Sequence, residues 1–107
     1  MGHVEQATNL DPIRSKFTND PDFEVLLETF VGSISQIRQD LEQTLSSGRM
    51  DALRTQAYDL RGSGGGYGFG DLSDLAAQLE DACRTNDVES ARGILDRLLS
   101  HMDRIVV

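Results

Sequence analysis

The sequence predicts an all-α fold, an antiparallel up-down-up-down four-helix bundle with a short extra N-terminal helix. Apolar residues recur at three- and four-residue steps along four segments, and no segment alternates apolar and polar residues over a strand's length. The connections between these segments are short, so consecutive helices must run antiparallel. The chain has 107 residues, of which 38% are hydrophobic. We therefore expect a single domain over 1–107 with one modest core.

The short N-terminal helix is predicted over about 12–18. Asp11 and Pro12 provide an N-cap residue followed by proline at the first helical position. Ile13 and Phe17 then lie four residues apart, on one face of such a helix. We expect this helix to close one end of the bundle.

The bundle itself is predicted over about 21–106 and begins with a second Asp-Pro pair, Asp20-Pro21. The first long helix ends at Ser47-Gly48, because glycine suits the left-handed position that follows a helix. This helix has roughly 26 residues and a length of about 39 Å. Its apolar stripe consists of Phe23, Leu26, Leu27, Phe30, Val31, Ile34, Ile37, Leu41 and Leu45.

Three further helices follow, each with one apolar stripe. The second begins near Arg49, and its buried side consists of Met50, Leu53, Ala57 and Leu60. The third ends near Thr85-Asn86, and its stripe consists of Leu72, Leu75, Ala76, Leu79, Ala82 and Cys83. Asp87 is the N-cap of the fourth, whose stripe consists of Val88, Ala91, Leu95, Leu98, Met102 and Ile105.

Tyr58 is predicted to point away from the core of the second helix. On a helical wheel the apolar set of that helix, with Gly64, falls within about 80°, and Tyr58 lies about 130° from its centre. The residues that share the side of Tyr58 are Arg54, Arg61, Gly62 and Gly65. The sequence therefore predicts an exposed aromatic side chain framed by two arginines and two glycines. The two arginines make this surface locally positive on a protein whose net charge is negative.

Six glycines lie between Gly62 and Gly70, and spacing leaves two interpretations of them open. In a helix interior each glycine costs about 1 kcal/mol relative to alanine, which favours a flexible loop after Ser63. The alternative is a helix that continues through Gly66 without side chains, so that another backbone can approach it closely.

Composition excludes several classes of function. The 18 acidic and 10 basic residues give a net charge of −8, which argues against nucleic acid as a partner. No G-x-G-x-x-G or G-K-[ST] phosphate loop occurs, and the two histidines, His3 and His101, are far apart, so we expect no cofactor and no metal. No nucleophile-base pair is evident, and carboxylates such as Asp71 and Asp74 are typical of solvated helix surfaces. We expect the protein not to be an enzyme.

We expect the protein to be a monomer and to lie in the cytoplasm. Cys83 is the only cysteine, so no intramolecular disulfide forms, and at an apolar helical position it is a packing residue. No apolar run is long enough to span a membrane, and the N-terminal MGHVEQATNL lacks the apolar region of a secretory signal.

The stretch YDLRGSGGGYG resembles the core motif of histidine-containing phosphotransfer (HPt) domains of bacterial and eukaryotic phosphorelays. That motif is His-x-Leu-Lys-Gly-Ser/Ala with a glycine ten residues after the histidine. It is followed on the next helix by Leu-x-x-Leu-x-x-x-x-Glu, which LSDLAAQLE supplies here. The motif positions are filled by Leu60, Arg61, Gly62, Ser63 and Gly68. The resemblance also extends to helix order and length over nearly the whole chain.

The resemblance implies a fold and a partner, and it implies that the glycine segment is helical. In this family the second helix continues through the small residues, so that a response-regulator receiver domain can dock closely. It implies a helix until about Gly65 or Gly66 and then a turn at Tyr67-Gly68. The implied partner is a receiver domain or a hybrid sensor kinase.

The chain departs from the family pattern where the phosphoacceptor histidine is expected, because Tyr58 stands there. A neutral imidazole attacks an acyl phosphate readily, whereas a phenol is protonated at neutral pH and its phosphate ester is too stable for a shuttle. Arginine in place of lysine at position 61 keeps a cation beside the site. We expect an HPt-like signalling domain that docks on a receiver domain without carrying phosphate. The alternatives are a phosphotransfer protein whose histidine was substituted and a non-signalling helical interaction module.

Overall fold

The computed structural model describes residues 11–107 and forms an antiparallel four-helix bundle, which confirms the predicted fold class. The helices are α1 (Glu24–Ser46), α2 (Met50–Gly66), α3 (Gly70–Arg84) and α4 (Val88–Met102). The helix α1 packs against α2 and α4, and α3 packs against α2 and α4, which closes the ring. The N-terminal MGHVEQATNL and His3 lie outside the described residues.

The helix ends follow the local signals in the sequence. Gly48 and Asn86, the residues that follow the ends of α1 and α3, have positive φ angles of 72° and 56°. Asp87 is the N-cap of α4, because its carboxylate accepts a hydrogen bond from the backbone N–H of Ser90 at 3.1 Å.

The core consists of the apolar stripes of the four helices. Its largest fully buried side chains are Leu27, Leu41, Leu53, Leu72, Leu79, Leu95, Leu98 and Met102. Two residues assigned to these stripes are instead exposed, Leu26 at 47% and Val88 at 52%, and both lie in the first turn of a helix. Among residues 11–107, no helix combines the length and the apolar character needed to cross a membrane.

The short N-terminal helix lies at Pro21–Phe23 as a 3-10 helix joined to α1, and not over 12–18 as predicted. Residues 11–19 are instead an extended segment with a turn, which we call the N-terminal strap. The backbone N–H of Ile13 donates to Arg104 O at 2.7 Å, and that of Val106 donates back to Ile13 O at 2.9 Å. Because these non-local bonds use the backbone groups of Ile13, the strap does not form helical hydrogen bonds there.

The strap nevertheless closes one end of the bundle, the role predicted for the short helix. The backbone N–H of Lys16 donates to Gly68 O at 3.1 Å, and Ser15 Oγ donates to Tyr67 O at 2.6 Å. The ring of Phe17 stacks on Phe23 with a centroid distance of 4.3 Å. The strap therefore holds the turn between α2 and α3 in place.

Candidate functional site on the second helix

The helix α2 continues through the glycines to Gly66, so the loop after Ser63 that spacing favoured is wrong. Contacts with α3 explain this. Gly64 is buried, and a Cβ there would lie 3.3 Å from the backbone nitrogen of Ser73. The Ser73 hydroxyl also donates to Arg61 O at 2.7 Å. Close packing of α3 thus stabilises a segment of low intrinsic helix propensity.

The α2 helix ends at the turn that the resemblance implied. Tyr67 is the C-cap, and Gly68 follows with φ +85°. The Tyr67 ring stacks on Phe30 at 4.6 Å between centroids, which fixes the turn against α1. Gly68 is buried under the N-terminal strap, and a Cβ there would collide with Ser15 Oγ and the Phe17 ring.

Five predicted site residues form one exposed surface, which we call the α2 face: Arg54, Tyr58, Arg61, Gly62 and Gly65. Tyr58 is 55% exposed, as the helical wheel predicted. A Cβ at Gly62 would meet no atom within 4 Å, so nothing in the described chain requires a glycine there. The backbone of α2 is therefore uncovered at Gly62, one turn from the exposed Tyr58 ring.

The Tyr58 side chain is held by a chain of polar contacts that reaches α3. The guanidinium carbon of Arg61 lies 5.1 Å from the centroid of the Tyr58 ring, within range of a cation–π interaction. The same guanidinium forms an ion pair with Glu80, with Nη1 and Oε1 3.1 Å apart. The Glu80 side chain is only 14% exposed, and its ion pair fixes the Arg61 guanidinium beside the Tyr58 ring.

The remaining motif residues are structural. Leu60 is buried in the core, and the Ser63 hydroxyl donates to the backbone oxygen of Asp59 at 3.1 Å. Glu80 and Ser73, which hold Arg61 in place, were not predicted as site residues. In the sequence, Glu80 was noted only as the last position of the pattern on the next helix. The signal for its role was that an acidic residue on this helix could pair with an arginine on the neighbouring helix.

Neither His101, the only histidine among residues 11–107, nor Cys83 is exposed on the α2 face. His101 is on α4, and burial lowers the pKa of its imidazole, with the nearby Asp71 opposing this effect. Burial raises the pKa of the Cys83 thiol, although the positive charge of Arg54 partly offsets the shift. Within residues 11–107, no three side chains among His, Cys, Asp and Glu are grouped so that they could hold a metal ion.

Comparison with known proteins assigns the chain to a class of signalling domain. The sequence profile of the Hpt domain matches residues 25–106, from the first turn of α1 to the end of the described bundle. The chain therefore belongs to the Hpt domain family. Hpt domains are phosphocarrier modules without catalysis of their own, and they work with response-regulator receivers in phosphorelays. No curated protein and no solved structure matches the chain.

Proposed function

We propose that this Hpt domain docks on a receiver domain through the α2 face and does not carry phosphate, because Tyr58 occupies the position of the phosphoacceptor histidine. The observation that supports docking is the exposure of Tyr58 at 55% beside Gly62, whose missing side chain leaves the helix surface open. An aromatic ring held by neighbouring contacts is a suitable anchor for an interface, because little conformational entropy is lost when it is buried.

The proposal that Tyr58 does not carry phosphate rests on its chemistry. A receiver holds its phosphoryl group as an acyl phosphate on aspartate, and a neutral imidazole nitrogen accepts it as a labile phosphoramidate. A phenol must first lose its proton, and the phosphate ester that it forms does not return the group readily. The domain would then act as a competitor, a sink or a scaffold that occupies receivers within a two-component pathway.

Titration of the isotope-labelled protein with an isolated receiver domain from the same genome tests docking. We expect amide chemical-shift changes centred on the α2 face, whereas Gly93 on the exposed surface of α4 should not shift. Receiver binding reduces the solvent access of Tyr58, so its ring signals should shift as well. The absence of shifts with every receiver of that genome would support a non-signalling helical module instead.

Substitution Tyr58→His tests whether the site has lost only its nucleophile. When this variant is incubated with a receiver that carries radiolabelled aspartyl phosphate, we expect the phosphoryl group to leave the aspartate and bond to the new imidazole. The label should be acid-labile, and the unsubstituted protein should remain unlabelled.

The two other outcomes of this experiment each contradict part of the proposal. If the Tyr58→His variant binds the receiver and never acquires the label, position 58 is not the only defect of the site. If the unsubstituted protein exchanges phosphate with the receiver, the domain is a carrier.

A further inference from the structure

A groove lies between α1 and α2, and Tyr58 is not among the residues that line it. The groove has a volume of about 180 Å³ and is lined by Ile37, Asp40, Leu41, Gln56, Asp59, Leu60 and Ser63. Pockets that hold cofactors and metabolites have volumes of roughly 300–1,000 Å³. This groove is therefore too small for such a ligand and has the size expected for a single side chain.

The chemistry of the groove is apolar along its wall and acidic at its mouth. Leu41 and Leu60 are buried and Ile37 is half-buried. Asp40 on α1 and Asp59 on α2 are both exposed and border the same groove. An aliphatic chain that ends in a positive charge matches this arrangement, because its stem packs on apolar surface while its head meets the carboxylates.

Neither carboxylate is neutralised by a cation of the described chain. Within residues 11–107, Asp40 and Asp59 form no salt bridge, and the Asp40 carboxylate accepts only a hydrogen bond from the Gln36 amide at 2.8 Å. Arg38 and Arg61, the arginines closest in sequence, are paired elsewhere, with Asp103 at 3.0 Å and Glu80 at 3.1 Å. The two negative carboxylates, on neighbouring helices, therefore have no positive partner among residues 11–107.

The side chain of Gln56 also lines the groove. The side-chain oxygen Oε1 of Gln56 is buried and accepts no hydrogen bond from any residue of 11–107. Because this oxygen is covered by neighbouring atoms, it is not an acceptor for a ligand in the groove. The groove therefore presents the two carboxylates of Asp40 and Asp59 and an apolar wall.

We propose that this groove binds an arginine side chain of a partner protein. The aliphatic stem packs on Ile37, Leu41 and Leu60, and the guanidinium donates to the carboxylates of Asp40 and Asp59. Arginine fits better than lysine because its planar head carries five donors in a fixed fork, which suits several acceptors on two helices.

The groove borders the α2 face, since Asp59 follows Tyr58 directly and Gly62 lies one turn further along the same helix. One partner can therefore cover Tyr58 and place an arginine in the groove. The site does not depend on the receiver being that partner, and the net charge of −8 favours any partner with a basic surface.

The test uses Nα-acetyl-arginine methylamide as the probe and the citrulline derivative as its uncharged isostere. Both are titrated into the isotope-labelled protein, and the backbone amides of 37–41 and 56–63 are followed together with the Gln56 side-chain amide. We expect saturable shifts with the arginine probe and about threefold weaker binding of the citrulline probe, because loss of one exposed ion pair weakens binding by a factor of about 1.4 to 5.

Three variants locate the binding. Asp40→Asn and Asp59→Asn should each weaken the arginine probe about threefold, which corresponds to loss of one exposed ion pair. Asp74→Asn on α3 is the matched control, because Asp74 is also exposed and forms no ion pair among the described residues, and it should leave binding unchanged. All three positions are on the surface, and thermal unfolding checks that each variant is folded.

Each remaining result would overturn the proposal. Equal shifts with the citrulline probe would show that charge does not contribute. Full binding by both Asp40→Asn and Asp59→Asn would place the probe elsewhere. Saturable shifts at the groove with Mg²⁺ but not with the arginine probe would identify a cation site instead. These results are independent of receiver binding, which the small probe does not involve.

Discussion

Substitution Gly62→Phe is expected to weaken receiver binding more than tenfold, which is about 1.4 kcal/mol. Gly62 lies on the α2 face one turn from Tyr58, and a Cβ there meets no described atom within 4 Å. A phenylalanine ring at this position would occupy the space into which we propose that the receiver docks. Titration calorimetry with an isolated receiver domain measures the loss.

The fold itself should tolerate this change. A Cβ at position 62 meets no atom of the described chain within 4 Å, and glycine is the weaker helix former by about 1 kcal/mol relative to alanine. We therefore expect the midpoint of thermal unfolding to be unchanged or higher in the Gly62→Phe variant. Loss of binding would then report on the surface and not on unfolding.

Gly93 provides a matched control on another face of the bundle. It is exposed within α4, and a Cβ there also meets nothing within 4 Å. The Gly93→Phe variant should bind the receiver as the parent protein does. If Gly62→Phe binds with unchanged affinity, or if Gly93→Phe weakens binding to the same degree, the α2 face is not the docking surface.

Substitution Gly68→Ala is expected to have the largest effect on stability, a loss of about 2–4 kcal/mol in the free energy of unfolding. Gly68 has φ +85°, a conformation that strains any residue with a Cβ, and the added Cβ would collide with Ser15 Oγ and the Phe17 ring. The strap must move, which breaks the hydrogen bond from Ser15 to Tyr67 O. Urea unfolding followed by circular dichroism measures the change.

Gly66→Ala is the control for this prediction, two residues away. Gly66 is the last residue of α2, and a Cβ there meets no described atom within 4 Å. Its stability should stay within about 1 kcal/mol of the parent protein. A Gly68→Ala variant as stable as Gly66→Ala would mean that the strap does not pack on the turn as described.

The four helices and the outward position of Tyr58 were predictable because both follow from local periodicity. A residue's direction on a helix depends on its spacing from its neighbours, so the wheel placed Tyr58 correctly without knowledge of the other helices. The same holds for the helix ends, where Asp87 and Gly48 act within one turn of their own positions.

The N-terminal strap was not predictable from the same signals. Asp11-Pro12 is a helix-start signal, yet Ile13 bonds with Arg104 and Val106 near the other end of the chain. A local pattern carries no information about a partner some ninety residues away, and these backbone bonds outweigh the weak preference of a short helix. The strap therefore follows from the tertiary contacts between Ile13 and residues 104–106 and not from the local sequence.

The amino-acid sequence alone determined the helical class, the order of the four helices and the side of α2 on which Tyr58 stands, because helix formation has a period that a single segment displays. Tertiary structure decided that α2 runs through its glycines. Leu72 and Ser73 of α3 pack closely on this segment, which offsets the low helix propensity of the glycines. It also decided that Glu80 holds Arg61 over the Tyr58 ring, because only packing places these residues of two helices side by side.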